Sequence, residues 1–532
     1  MRRVLVSDKL ADEGIQVLEA AEGLEFDLRP GIDPDELRRI LPSYDALIIR
    51  SGTKVTADLL EVAERLRVIG RAGIGVDNVD LQAATSRGVI VMNTPEGNTI
   101  TTAEHAIALM TSLARQIPQA TASLKAGRWE KSHFRGIELF ERVLGVIGLG
   151  HIGSIVADRA RGLGMRVIAY DPLVSPERAQ RIGVDLVPLD ELYATADVIS
   201  VHVPLTKETR GLVGREAFAK MKRGVLLVNA ARGGIVDEEA LLAALEEGRV
   251  ARAALDVFSD EPPSADHPLL ARNDVIATPH LGAATEQAQV NVAVAVAEQV
   301  RDYLLEDVVR NAVNLPSVPA DQLEALRPFI VLGEKLGLFE SQRCESFQEI
   351  EIEYAGEIAE LDVQPITLAV LKGLLTPWVG DRVNFVNAPV LAQQRGIRVI
   401  ESKAAQPEDF VSLVTVRLRC GAETFRVSGA IFGRTQPRIV RVENYLLEAI
   451  PEGSMLLIEN EDHPGVVGSV GGVLGELGIN IARMQLGLRP GGTTALQLLN
   501  VEPAPDSVAL ERLRAIQGMR RVQLLDLGAP VT

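Results

Sequence analysis

The sequence predicts an α/β protein with two doubly wound units in succession, followed by a mixed α+β segment and a ferredoxin-like tail. Three observations carry this expectation. Short apolar runs alternate with amphipathic stretches twice over, once before residue 100 and again after residue 142, the pattern of parallel βαβ units. A glycine-rich turn, "GLGHIG", opens the second series. From residue 453 onward the pattern reads β-α-β-β-α-β, the order of a split βαβ plan.

In the first series "RVLVSD", "DALIIRS", "RVIGRAG" and "GVIVMN" read as strands, and "DPDELRRIL" and "TADLLEVAERL" as the helices between them. The long run "TTAEHAIALMTSLARQI" predicts a helix that leads to the second series. There "RVLGVIG", "MRVIAYD", "DVISVHVP", "GVLLVNAARGG", "ALDVFSDEP" and "DVIATPHLG" are strand-like, their continuous apolar cores being typical of strands buried on both faces. After "VRNAVNLPSVP" the character changes. A helical pattern, "PITLAVLKGLL", and alternating strands, "FVSLVTVRLRC" and "ETFRVSGAIFG", mark an α+β region with no motif of nameable chemistry. The tail runs through "SMLLIEN", "GVVGSVGGVLGELG", "NIARMQLGLR", "TALQLLNVE", "SVALERLRAI" and "VQLLDL".

Composition narrows the functional classes. At 532 residues, 47% hydrophobic and 24% charged, the chain is an ordinary globular one, long enough for three or four domains. Its formal charge of -17, with no Lys/Arg-rich block, disfavours a nucleic-acid partner. An anionic small molecule remains compatible, because a few arginines in one cleft dominate the local field. No apolar run is long enough for a signal peptide or a membrane span, so no membrane partner and a cytoplasmic location are expected. Cys344 and Cys420 stand far apart and away from any histidine cluster, so neither a disulfide nor a metal site is expected, and a reducing compartment fits.

Gly148, Gly150 and Gly153 form G-x-G-x-x-G between a strand and a helix. The first permits a tight turn, the second lets backbone approach a pyrophosphate, and the third lets helix and strand pack closely. The next strand ends in Asp171, 18 positions beyond Gly153, the spacing of a carboxylate that bonds the adenosine ribose. Together they predict a dinucleotide site, and Asp171 would repel a 2′-phosphate, favouring NAD. A second turn, "RAGIGVD", lacks the third glycine and is assigned to substrate contact.

Open α/β sheets bind ligands beyond the carboxyl ends of their strands. In the second series those ends carry His202, Arg232, Asp256, Glu261 and His280. Oxidation of a hydroxy acid needs a base for the hydroxyl proton, a cation for the carboxylate and a carboxylate to orient the base. Arg232, Glu261 and His280 supply all three, although each alone is equally a surface arginine, a loop glutamate and a backbone-satisfying histidine. The residue types do not choose between His202 and His280 as base.

The blocks "GLGHIG", "NAARGGIVDEEAL", "ALDVFSDEPP" and "TPHLGAAT" resemble the D-2-hydroxyacid dehydrogenase family, and "IRSGTKVTADLL", "RAGIGVDNVDLQAAT" and "NTPEGNTITTAEH" its D-3-phosphoglycerate dehydrogenase branch. The resemblance covers the whole chain. It implies a Rossmann-type NAD domain, residues 99–282, inserted in a flavodoxin-like substrate domain, residues 1–98 and 283–313. An intervening domain over 314–452 and an ACT regulatory domain over 453–532 follow. It implies His280 as acid/base, Glu261 as its partner and Arg232 as the substrate-orienting cation. NAD would be held by Ile74, Gly148, Gly150, His151, Ile152, Gly153, Asp171, Val203, Ala230, Ala231, Arg232, Asp256, His280, Leu281, Gly282 and Ala283. Arg50, Ser51, Arg71, Gly73 and Asn98 would lie by the substrate, 3-phospho-D-glycerate.

The same resemblance implies L-serine as effector at Asn460, Asp462 and Asn480, and a homo-oligomer, dimer or tetramer. Two positions depart from the family pattern: His151 stands where arginine is common, and Asn460 where histidine or tyrosine is. Relatives with the same constellation reduce glyoxylate, hydroxypyruvate or 2-oxoglutarate, and an NAD(H)-sensing corepressor-like protein shares it, so these are the alternatives.

Overall fold

In the computed structural model the described residues are 1–316, 320–344, 346–404, 409–488 and 491–529. Residues 317–319, within the stretch where the pattern changes, and 530–532, the end of the expected last domain, lie outside them.

Five parallel strands form the first sheet: β1 (Arg2–Val6), β2 (Leu24–Leu28), β3 (Ala46–Ile49), β4 (Val68–Arg71) and β5 (Ile90–Asn93), in the order β2-β1-β3-β4-β5. This is the flavodoxin-like order. The strand Leu24–Leu28, "LEFDL", was not anticipated because it is a half-exposed edge carrying two carboxylates. The helix Glu286–Glu306 comes from much later in the chain yet packs Val292, Ala293, Val296 and Val300 into this sheet's core. Gly70 makes that approach possible, since a Cβ there would lie 2.7 Å from both Val296 and Val300. Asn314 then ties the returning chain to Val91 and Val89.

The second sheet has seven parallel strands: β6 (Val143–Ile147), β7 (Arg166–Tyr170), β8 (Asp185–Leu186), β9 (Val198–Val201), β10 (Val225–Asn229), β11 (Val250–Leu255) and β12 (Val275–Ala277). Its order is β12-β11-β10-β9-β6-β7-β8, so strand order reverses at β6, whose neighbours are β7 and β9. That is where a doubly wound sheet opens a crevice for ligands. The helix Thr99–Arg115 carries the chain from the first sheet to the second, and its buried face, Ala103, Ala106, Met110 and Leu113, lies against β10, β11 and the helix His151–Gly162.

The third sheet comprises β13 (Glu349–Gly356), β14 (Arg398–Ala404), β15 (Ser412–Cys420), β16 (Glu423–Phe432), β17 (Gln436–Val442) and β18 (Tyr445–Ala449), ordered β14-β13-β15-β16-β17-β18. The fourth has β19 (Ser454–Glu461), β20 (Asn480–Leu488), β21 (Thr494–Glu502) and β22 (Met519–Asp526), ordered β20-β21-β19-β22 and antiparallel throughout. One face of it packs Leu456, Ile458 and Leu499 on the helices Val466–Glu476 and Ser507–Arg514. Its other face shares a continuous core with the third sheet through Met455, Leu457, Leu496, Leu498 and Leu525.

One expectation fails in this region. Cys344 and Cys420 form a disulfide, with Cα atoms 6.3 Å apart. The sequence separation of 76 concealed the pairing: the turn after helix Ala320–Ser341 brings Cys344 against the end of β15. Among the described residues no helix is long and apolar enough to cross a membrane.

Candidate active site

The three glycines of the turn after β6 meet distinct constraints. Gly148 has φ +94°, and a Cβ there would lie 2.7 Å from the His202 carbonyl oxygen. At Gly153 a Cβ would sit 1.9 Å from the Gly148 carbonyl oxygen, so only glycine lets the helix His151–Gly162 start this close to β6. Gly150 faces open space. Asp171 accepts hydrogen bonds from the Leu149 and Leu173 N–H groups, 2.8 and 2.9 Å, and so closes the turn beside the crevice. This cradle, with the helix N-terminus beyond it, fits the pyrophosphate and ribose of a dinucleotide. His151 is exposed at the helix's first position and Ile152 is half-buried behind it. Val203, Ala230 and Ala231 line the neighbouring strand ends, half-buried or buried.

His280 lies beyond β12 in the left-handed region, φ +53°, a setting a non-glycine residue keeps only when its surroundings enforce it. Its N–H donates to the Asp256 carbonyl oxygen at 2.9 Å. The side chain, 47% exposed, holds Nδ1 2.7 Å from Glu261 Oε2. Burial raises the Glu261 pKa, but the hydrogen bond and charge of His280, the Phe258 N–H and the Arg232 charge together hold it below the ordinary carboxylate value. Glu261 therefore remains an acceptor, and Nε2 of His280 is left facing outward.

His202 is in a different situation. It is half-buried at the end of β9, its Nε2 is 2.8 Å from Ser200 Oγ, and among the described residues no carboxylate pairs with it. Burial pushes its pKa down to about 4 from an ordinary 6.5. The unfolded chain thus takes up this proton first, and stability is lost as pH falls from about 6.5 towards 4. Between pH 7 and 5 urea denaturation should report a loss of about 2 kcal/mol at this site, and His202→Asn should flatten that slope.

Arg232 Nε donates to Asp77 Oδ2 at 2.9 Å, reaching from the second sheet to the loop after β4. Nη1 donates to the Ala231 carbonyl oxygen at 2.6 Å. Gly75 allows the approach, for a Cβ there would fall 1.8 Å from Arg232 Nη2. Arg71 sits beside it. Its pKa is pushed down to about 10 by burial first, then by the charges of Arg232 and Arg50, with Asp77 and Asp8 opposing. It stays cationic at neutral pH, and its Nε is buried without a partner. Gly73, φ +140°, donates its N–H to Thr94 Oγ1 and lies against the Arg71 guanidinium.

Arg50 is held by its backbone: its N–H donates to Asp8 Oδ2 at 2.6 Å and its carbonyl accepts from Asn78 Nδ2 at 2.7 Å. Ser51 is exposed in the following bend, and the Ile74 carbonyl accepts from Asn93. Asn98 precedes the helix Thr99–Arg115 with a buried Oδ1 that has no partner.

Asp256 is 1% exposed, and its carboxylate is turned into the loop 278–282 rather than the open crevice. Leu281 is 39% exposed, Gly282 is buried, and the Ala283 carbonyl accepts from Gln289. In the fourth sheet Asn460 is 2% exposed and spends its side chain on Gln497 and the Glu461 carbonyl, whereas Asp462 and Asn480 lie at the surface. The structure therefore does not bring Asn460 to the surface beside the other two. Asp77, Asp8, His105 and Thr278 were not singled out by sequence. For Asp77 the signal was present, directly after the glycine turn "RAGIG".

A dinucleotide cradle, a carboxylate-paired histidine and an arginine, all at strand ends of the second α/β lobe and met by the loop after β4 of the first, define an NAD-dependent 2-hydroxyacid dehydrogenase. Comparison with known proteins agrees. Residues 107–282 match the NAD-binding domain of D-isomer specific 2-hydroxyacid dehydrogenases, 325–443 the D-3-phosphoglycerate dehydrogenase intervening domain, and 454–518 the ACT domain. A D-3-phosphoglycerate dehydrogenase from Archaeoglobus fulgidus is 46% identical over 97% of this chain and 98% of its own length, and one from Bacillus subtilis is 43% identical over 99% and 100%. Among solved structures, D-lactate dehydrogenase from Aquifex aeolicus, complexed with NAD and lactic acid, superposes with a TM-score of 0.54 at 30% identity, covering 59% of this chain and all of the other. The chain belongs to the D-3-phosphoglycerate dehydrogenase family.

Proposed function

We propose that the protein oxidises the C2 hydroxyl of 3-phospho-D-glycerate to 3-phosphooxypyruvate with NAD, the step that commits this metabolite to L-serine. The observation that carries the reading is a row of three arginines, in which Arg71 stands between Arg50 and Arg232 and Arg232 lies near Glu261, the partner of His280. Three cations exceed what a single carboxylate requires and suit an acid that also bears a phosphate. Arg232 would grip the carboxylate with the Nη hydrogens that Asp77 and the Ala231 carbonyl leave free. Arg71, whose buried Nε lacks an acceptor, and Arg50 would take the phosphate end, with Ser51, Gly73 and Asn98 around it.

Gly148, Gly150, Gly153 and Asp171 would hold the cofactor, with Ile74, His151, Ile152, Val203, Ala230, Ala231 and the backbone of 280–283 completing its site, and Asp256 shaping that backbone from behind. When bound, NAD supplies a nicotinamide that accepts the hydride leaving C2. His280 takes the hydroxyl proton on Nε2, and Glu261 stabilises the imidazolium through Nδ1. The C2–O bond becomes a carbonyl, whose oxygen Arg232 would also face.

The ACT domain suggests an amino-acid ligand, and L-serine fits the pathway, with Asp462 and Asn480 as its surface contacts and Asn460 behind them. Exposed Trp129, Phe140 and Leu124, at 83%, 63% and 58%, support a homo-oligomer, a dimer or tetramer. The test is a panel of 2-hydroxy acids with NAD, read as NADH absorbance with and without millimolar L-serine. Turnover of 3-phospho-D-glycerate above the others is expected, together with inhibition by serine. Preference for an acid lacking the phosphate would overturn the substrate assignment.

A further inference from the structure

The chemistry above leaves His105 without a role, although it is paired to a buried carboxylate of the crevice. His105 stands on the helix Thr99–Arg115 with its side chain 18% exposed, and its Nε2 lies 3.1 Å from Asp256 Oδ1. Asp256 itself is enclosed, and the rest of its contacts fall on one short loop. Its Oδ1 accepts from the Thr278 hydroxyl at 2.6 Å and the Leu281 N–H at 2.7 Å, and its Oδ2 accepts from the Gly282 N–H at 2.9 Å. Its carbonyl oxygen accepts from the His280 N–H. The loop that holds His280 in its left-handed setting is therefore wound around this one residue.

The donor and acceptor roles follow from chemistry. Asp256 keeps its carboxyl below the ordinary value despite burial, with His105 the largest cause working against that burial, then Thr278 and the Leu281 N–H. A carboxylate only accepts, so Nε2 of His105 carries the proton. The Thr278 hydroxyl has a single hydrogen, spent on Asp256, which leaves its 3.4 Å approach to His105 secondary.

The same helix touches the loop twice more. Thr102 Oγ1 lies 2.9 Å from the Gly282 carbonyl oxygen, and Thr101 Oγ1 lies 3.3 Å from Thr285 Oγ1. This helix is where the chain passes from the first lobe to the second, and residues 283–286 are where it passes back. Both crossings are thus fastened to the loop of the acid/base histidine.

We infer that His105 is a positioning residue: by donating Nε2–H to Asp256 it fixes the loop 278–282 and sets His280 relative to the helix that joins the two lobes. The inference rests on His280 being the acid/base of the proposed reaction. Loss of this donor lets the loop relax, and small displacements of a catalytic group are costly because proton transfer demands hydrogen-bond geometry.

The test compares His105→Phe and His105→Gln with the unaltered full-length protein, on whichever hydroxy acid that protein turns over fastest. For His105→Phe, kcat should fall about tenfold to a hundredfold, with KM for NAD and the NADH Kd from fluorescence titration rising only a few-fold, because the glycine cradle and Asp171 lie on other loops. His105→Gln, which retains an N–H donor, should recover most of kcat. Hydrogen exchange of the Leu281 and Gly282 amides in the NADH complex should quicken about tenfold in His105→Phe and return in His105→Gln. Unchanged kcat and unchanged exchange in His105→Phe would overturn the assignment. So would a loss that tracks a lowered Tm and weakened NADH binding and is not rescued by glutamine, since that marks packing alone. The exchange measurement does not depend on the substrate, so a wrong acid and a wrong role for His105 give different results.

Discussion

His280→Ala is expected to lower kcat by about 10²- to 10⁴-fold, the usual worth of a positioned general base. NADH should still bind within a few-fold, because the glycine cradle and Asp171 lie on other loops, at the ends of β6 and β7. Stopped-flow absorbance for turnover and fluorescence titration for binding separate the two. The expectation rests on Nδ1 of His280 being 2.7 Å from Glu261, which leaves Nε2 as the nitrogen able to take a proton. His202 gives a contrast within the same crevice. Half-buried against Ser200 and neutral down to about pH 4, it has no carboxylate partner among the described residues to orient it. Retention of turnover in His280→Ala would return the base to an open question.

The Glu261 carboxylate adds a pH statement. Its folded pKa is depressed, so the pairing contributes above the ordinary carboxylate range and is lost only as pH falls through the lower folded value. Its partial exposure limits how much stability this represents.

Arg232→Leu should cost roughly 2–5 kcal/mol in transition-state binding, about 30- to 5,000-fold in kcat/KM, as expected when one member of a desolvated charge pair is removed. Most of the loss should appear with the hydroxy acid and little with NAD. Arg232→Lys should recover only a minor part. A single ammonium cannot hold Asp77 through one edge while presenting two parallel N–H groups to a carboxylate. Initial-rate kinetics on 3-phospho-D-glycerate decide it: full activity in the lysine variant would show that charge alone, without the guanidinium's geometry, suffices. The geometry argues otherwise, since Gly73 and Gly75 both leave out a Cβ where a guanidinium passes.

Much of this was legible before any coordinates. The alternation of short apolar runs with amphipathic stretches marked two parallel sheets because strands buried on both faces must be apolar throughout. "GLGHIG" followed by Asp171 marked the crevice because a phosphate cradle tolerates no side chain at two of its three glycines. The C-terminal β-α-β-β-α-β order marked the last sheet. The edge strand Leu24–Leu28 escaped because an exposed edge needs no apolar run.

What the sequence by itself determined was therefore local: periodicity, turn chemistry and the inventory of reactive side chains at strand ends. Tertiary structure decided which of these meet. It paired His280 with Glu261 and His202 with Ser200, although both histidines follow a strand. It brought Asp77 across the cleft to Arg232, His105 to Asp256, and Cys344 to Cys420 over a separation of 76 residues. It also turned the buried Asn460 towards Gln497. The physical reason is common to all of these. Backbone propensity and hydrophobic period act over a few residues, whereas a hydrogen bond or a disulfide between distant positions exists only once the lobes have packed and set both partners within reach.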